Sequence, residues 1–200
     1  MGKKQILVGG GVAVVVVLFL VFGFVGIGND LVTKDEATNS AWAQVETVLQ
    51  RRFDLIPNLV NTVKGYAAHE KEILEEVTRL RSQWGSAATV EEKAKAAGAL
   101  EGTLSRLLLV AENYPQLKAD QAFRDLQHEL AGTENRITVE RQRYNDSIRT
   151  YNTAVRRFPG SLVASIRGMM PKTGYFEAEK PAQSAPKVDF GADGGKEEKK

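Results

Sequence analysis

Cysteine is absent from the 200 residues. That excludes disulfides, thiolate metal centres, a cysteine nucleophile and a lipoprotein anchor on this chain. Histidine is nearly absent too, with two residues. His69-Glu70 and His128-Glu129 each begin like the zinc-protease pattern HExxH, but Ile73 and Gly132 stand where the second histidine must be. A di-iron bundle needs paired Glu-x-x-His, whereas this chain offers Asp125-x-x-His128 once and has Tyr66 three residues before His69. Both histidines read as helix-surface groups. There is no phosphate loop, no G-x-S-x-G and no Gly-rich strand-to-helix turn. The expectation is a non-enzyme, with no catalytic residue, no metal and no cofactor.

An excess of one charge is missing as well. Lys3 and Lys4 account for the whole surplus of 27 basic over 25 acidic residues, so residues 30–200 are balanced. A neutral body offers no field to attract nucleic acid. Glycine and proline are scarce between Leu31 and Tyr114, where Ala, Leu, Glu, Lys, Arg and Gln dominate. That is helical composition.

What is present begins with an uncharged run from Ile6 to Ile27. As a helix it measures about 33 Å, enough for the roughly 30 Å hydrocarbon core of a bilayer. A cleaved signal peptide would share the basic start and the small residues Gly26 and Gly28, but its apolar stretch is ordinarily about 7–15 residues. A retained transmembrane helix is therefore expected. Gly9 and Ala13 have small-xxx-small spacing, a pattern that can pack helices and is usually incidental. Lys3 and Lys4 before the span, against Lys34 just after it, favour a cytoplasmic N-terminus with the body outside.

Beyond the span, apolar residues recur at threes and fours. Trp42, Val45, Leu49 and Phe53 make a first stripe. Leu59 or Val60, Val63, Ala67, Leu74, Val77 and Trp84 make a second, and Val90, Ala94, Ala97, Leu100, Leu104, Leu107, Leu108 and Ala111 a third. Thr89 should cap the third helix, with Glu91 and Glu92 at its positive end. The fourth stripe runs Phe123, Leu126, Leu130, Thr133, Ile137, Tyr144, Ile148, Tyr151, Val155, Phe158.

Pro57 either kinks one long helix or opens a new one, where its missing N–H costs nothing. A turn gives helices over 31–53, 57–84, 90–113 and 119–157, of more nearly matched length, so the turn is preferred. Domain bounds follow: a basic start (1–5), the transmembrane helix (6–27), a four-helix body (30–177) and a charged, disordered tail (178–200) of Pro, Ala, Gly, Lys and Glu.

One motif occurs twice, seven residues apart: YNDSIR at Tyr144–Arg149 and YNTAVR at Tyr151–Arg156. Tyr144, Ile148, Tyr151 and Val155 share one helix face, so the repeat reads as packing, with tyrosine hydroxyls reaching a polar edge. Asn145 and Asn152, one step round, are expected to bond between helices. AGTENRI, around Gly132, reads as a close helix contact with Glu134 and Arg136 solvated or paired across helices, or else as a polar recognition patch.

Six arginines against Glu140 and Asp146 fall between Arg136 and Arg157. Four helices rising from a bilayer return this stretch to it, and the apolar segment after it too. Arg149, Arg156 and Arg157 would then meet anionic headgroups, with Leu162, Val163, Ile166, Met169 and Met170 at the interface. The same apolar residues could instead fold back and plug the open end of the body.

AWAQVETVLQRRFDLIPNLVNTVKGYAAHE (41–70), after the apolar span, and NYPQLKADQAFRDLQHELAGTENRITVERQRYNDSIRTYNTAVRRFPGSLVAS (113–165) resemble two blocks of the LemA family of bacterial membrane proteins. The resemblance covers about residues 5–177. It implies an all-α fold, an N-terminal transmembrane helix followed by an antiparallel up-and-down four-helix bundle; the tail, expected disordered from its composition, lies outside the resemblance. It implies a bacterial cytoplasmic (inner) membrane location and brings no catalytic residue. Family members are membrane-anchored proteins of poorly defined role, and relatives serve in magnetosome membrane formation.

The reading is a single-pass interaction scaffold for membrane or envelope complexes; the alternative is an accessory to a membrane protease or cell-envelope enzyme. Expected partners are the lipid bilayer and other membrane or envelope proteins, with a homo-oligomer among the options and no nucleic acid.

Overall fold

The computed structural model describes residues 3–176, and the tail expected to be disordered lies outside them. All regular structure among the described residues is helical: α1 (Lys3–Tyr66), α2 (Lys71–Ser86), α3 (Val90–Ala111), α4 (Pro115–Ala119), α5 (Gln121–Arg156) and α6 (Gly160–Arg167). The expected span Ile6–Ile27 lies within α1, and α1 from Gly9 onward is the one helix there long and apolar enough to cross a membrane. Its side chains from Val12 to Phe22 are exposed.

The expected turn at Pro57 does not occur. Phe53, Ile56, Leu59 and Val63 are all buried on one face across the proline. Burying each such side chain contributes about 1.5–3 kcal/mol, which together outweighs the roughly 3 kcal/mol cost of an interior proline. Matched lengths point to a turn only if the helix packs on its chain neighbour. Its main partner is α5, a helix of 36 residues, and the stretch of α1 from Leu31 to Tyr66 is equally long. The turn falls later, at Ala67–Glu70, where buried Ala67 donates its N–H to the Val63 carbonyl at 2.8 Å. Pro57→Ala should therefore raise the unfolding free energy, by up to about 3 kcal/mol. In a protein where Pro57 opened a helix, the same substitution would be neutral or harmful, so a denaturant titration separates the two.

The ends of the helices are tied together. Tyr66, at the end of α1, donates its hydroxyl to Asp120 at 2.8 Å, and Asp120 caps α5 by accepting from the Phe123 N–H at 2.9 Å. α1 and α5 are thus antiparallel. Tyr114 donates to Glu70 at 2.9 Å, pinning the turn after α1 to the end of α3. α3 starts with the expected cap, completed reciprocally by Glu92. Trp84 of α2 stacks on Phe53 with centroids 4.4 Å apart.

The apolar core runs from Val45 to Ile148 and includes most of the expected stripe residues, while Tyr151 and Val155 join a second cluster with Leu31, and Ala94 is only half-buried. Phe158 is in neither. It lies beyond the end of α5 and is 78% exposed. Gly132 is another departure. It is exposed with nothing near its missing Cβ, and α5 runs through it without a break.

Candidate functional site

The doubled motif lines a polar surface on which the chain after α6 is held by paired hydrogen bonds. Tyr144, Ile148, Tyr151 and Val155 are buried, as the heptad spacing requires. The asparagines, however, do not bond between helices. After α6 the chain turns back through Gly168, in the left-handed region at φ 67°, and runs unhelical along α5 as residues 170–176. Asn152 accepts from the Lys172 N–H at 2.8 Å and donates to the Lys172 carbonyl at 2.8 Å. Asn145 does the same to Phe176, at 2.9 and 2.8 Å. Tyr151 adds a bond from its hydroxyl to the Met170 carbonyl at 3.1 Å. Each such bond contributes on the order of 1 kcal/mol.

Side chains of the strap are held too. The Lys172 ammonium lies 2.9 Å from Asp35 and donates to Asn39 at 2.9 Å, both on α1. The Phe176 ring stacks on Trp42 (6.0 Å), meets Tyr144 edge-on (5.8 Å) and carries the Arg141 guanidinium 5.1 Å from its centre. Burial first, and then the Asp35 charge, pushes the Tyr151 hydroxyl up, so it stays a donor at neutral pH. The sequence signal for this clamp was the i, i+7 spacing of two Tyr-Asn pairs. Nothing periodic marked the partner, 20 and 31 residues downstream.

A charged seam crosses the body. Buried Arg52 of α1 donates to Glu134 of α5, and Arg141 of α5 donates to Glu101 of α3 at 3.2 Å. The cross-helix reading of Glu134 is thereby met, while Arg136 is exposed. Burial first, and then the nearby Glu134 charge, raises Glu101 above the usual carboxylate range, against the pull of Arg141 and Arg52.

At the end next to the apolar span, α6 forms a collar. Val163 and Ala164 are buried with Leu31, Tyr151 and Val155, against the partly buried Phe24, Ile27 and Met169. Gly160 is required, because a Cβ there would run into the Ala154 carbonyl. Arg167 lies with its guanidinium 5.9 Å from the Phe24 ring centre and against Gly28. Val163 therefore faces the core and Met169 packs partly against it, contrary to the expectation that both meet lipid. Leu162, Ile166 and Met170, spaced by four, point outward at 57%, 65% and 78% exposure. The segment both plugs the end and presents an apolar ridge.

Of the expected basic contacts, Arg149 and Arg157 share a groove of ≈ 450 Å³ with Lys34, and Arg156 is exposed nearby. Arg149 pairs with Asp146 at 2.7 Å. His69 lies in the turn after α1 and His128 on α5, both exposed. No group of three metal-ligating side chains comes together among the described residues.

Comparison with known proteins follows the same outline. The profile described as LemA family matches residues 41–190. Magnetosome protein MamQ 2 of Paramagnetospirillum magneticum is 29% identical over 184 residues, covering 79% of this chain and 67% of that protein. Magnetosome protein MamQ of Magnetospirillum gryphiswaldense is 27% identical with the same coverage. Protein LemA of Metamycoplasma hominis is 24% identical over 148 residues, covering 72% of this chain and 66% of that protein. With well over half of its length matched by the family profile, this chain belongs to the LemA family.

Proposed function

We propose that the protein is a single-pass, non-enzymatic scaffold of the bacterial inner membrane, an up-and-down four-helix bundle carried on its own transmembrane helix with the N-terminus inside. The observation that carries this reading is the continuity of α1. One uninterrupted helix supplies both the apolar span and the first wall of the body. No loop separates anchor from body, so the body is held at a fixed height and presents its faces to neighbours in the membrane. Relatives named as magnetosome proteins support work at a bacterial membrane. Cross-linking in native membranes followed by recovery of the full chain tests the reading. Envelope proteins or further copies of the chain are the expected catch, and recovery of the chain alone would overturn it.

A second reading, an accessory to a membrane protease or envelope enzyme, draws on the groove of ≈ 670 Å³ at the far end of the body, lined by Val60, Lys64, Ala68, Lys71, Leu74 and Thr78 among others. The same cross-linking decides it. A single protease or envelope enzyme, recovered repeatedly and lost when Leu74 is replaced by Asp in a chain that remains folded, would favour this reading.

The collar gives the scaffold a second hold on the bilayer. Leu162, Ile166 and Met170 insert at the interface, while Arg149, Arg156 and Arg157 attract anionic lipid by about 1 kcal/mol each, screened by salt. A body lacking residues 1–29 should float with anionic vesicles, less so at high salt. Ile166→Asp should abolish flotation without lowering thermal stability, since Ile166 is 65% exposed. Flotation unaffected by the substitution would remove α6 from the membrane.

A further inference from the structure

An amide side chain that accepts from the N–H and donates to the carbonyl of one residue copies what an adjacent β-strand offers, and it reads no side chain. Asn145 and Asn152 do this twice along α5. Specificity comes from two spaced sites, an anionic one for Lys172 and an aromatic one for Phe176 four residues on. Backbone hydrogen bonds with pockets for alternate side chains are the working parts of strand-addition peptide recognition. A cavity of ≈ 270 Å³ remains between residues 171–174 and the helices, bounded by Asn39, Trp42, Glu91 and Tyr144.

We propose that the Asn145–Asn152 face of α5 is an exchangeable peptide site, and that its ligand in trans is the Met170–Phe176 segment of a second copy of this chain. Copies then join by exchanging segments. Every copy carries a ligand that fits, with its lysine and its ring at the required spacing. Gly168 provides the hinge, and the four residues from Met169 to Lys172, the first clamped position, can reach about 13 Å when extended, beyond the roughly 10 Å between packed helices. Copies anchored in one membrane stand at the same height and in the same orientation, so a donated segment arrives level with its site. An isolated chain stays closed, because its own segment has the higher effective concentration; crowding in the membrane shifts the balance to exchange. The proposal deepens the scaffold reading and rests on it.

The absence of cysteine makes the test direct. Asn39 and Thr173 line the same cavity. Full-length chains carrying only Asn39→Cys are mixed in vesicles with full-length chains carrying only Thr173→Cys and treated with a short bis-maleimide. Any joined Asn39–Thr173 pair must then link two copies. The expected product is a dimer band that grows with the density of protein in the vesicle and falls at least about tenfold when Phe176→Ala is added to the Thr173→Cys chain. A chain carrying both cysteines serves as the control for reactivity. If that control links internally while the mixture gives no dimer at any density, exchange is refuted. A dimer band indifferent to Phe176→Ala refutes it equally, since the chains then meet elsewhere. Either refutation leaves the scaffold reading to the cross-linking experiment above, which does not depend on this site.

A complementary pair removes dependence on the introduced thiols. Asn145→Ala/Asn152→Ala keeps a segment but no clamp, and Lys172→Ala/Phe176→Ala keeps a clamp but no segment. Each alone should be monomeric in detergent and the mixture should form heterodimers by native mass spectrometry. Two chains that melt cooperatively yet never associate would overturn the proposal.

Discussion

Tyr151→Ala should lower the stability of the body by about 3–5 kcal/mol, the usual cost of truncating a buried aromatic ring. Tyr151 is 2% exposed, and its ring joins Leu31, Val155, Val163 and Ala164 into one cluster. It also carries the Lys172 ammonium 5.5 Å from its centre and donates to the Met170 carbonyl. Truncation therefore empties a cavity and frees the start of the strap together. Tyr151→Phe keeps the ring and loses one hydrogen bond, a change of about 1 kcal/mol. Denaturant unfolding of the two variants should rank them in that order. If Tyr151→Ala kept full stability and lost function, the tyrosines of the doubled motif would be ligand-binding groups and not packing.

Arg52→Met should cost about 3 kcal/mol at neutral pH, because it leaves Glu134 and Glu101 in a partly buried seam with one cation fewer. The cost should depend on pH. Glu101 already sits above its usual range through burial, and removing Arg52 raises it further. A carboxyl raised in the folded state loses stability as pH climbs from the ordinary carboxylate range through its folded pKa. The deficit should be smallest in and below the ordinary carboxylate range and grow as pH rises through the raised folded pKa of Glu101. Adding Glu134→Leu to Arg52→Met should recover most of it, since an apolar pair can replace a buried ion pair at little cost. A deficit that is flat with pH would mean that Arg52 acts by packing its aliphatic stem alone.

Much of this architecture was legible because helical burial is periodic. The four stripes, the Thr89 cap and the break around Tyr114-Pro115 could all be read from spacing and turn chemistry. The turn expected at Pro57 is absent, because spacing does not say which helix will cover a stripe, and the Leu31–Tyr66 part of α1 is matched in length by α5. The outward ridge of α6 was available in the i, i+4 spacing of Leu162 and Ile166, with Val163 a hundred degrees round, whereas Met170 lies past the end of the helix at Arg167. Asn145 and Asn152 were visible as a repeat, but their role was not. A main chain has the same donors and acceptors at every residue, so an extended segment held by its backbone leaves no pattern in the sequence that binds it.

The unbroken run of α1 has a mechanical consequence. From Ile27 to Tyr66 the helix projects about 58 Å beyond the apolar span. Transmembrane helices tilt to match the thickness of the surrounding bilayer. A change in tilt of about 10° at the base would swing the Tyr66 end sideways by about 10 Å. On the anchored reading, the protein is a lever arm that turns local membrane thickness into lateral displacement of its far end, with α5 tied along its length as a brace.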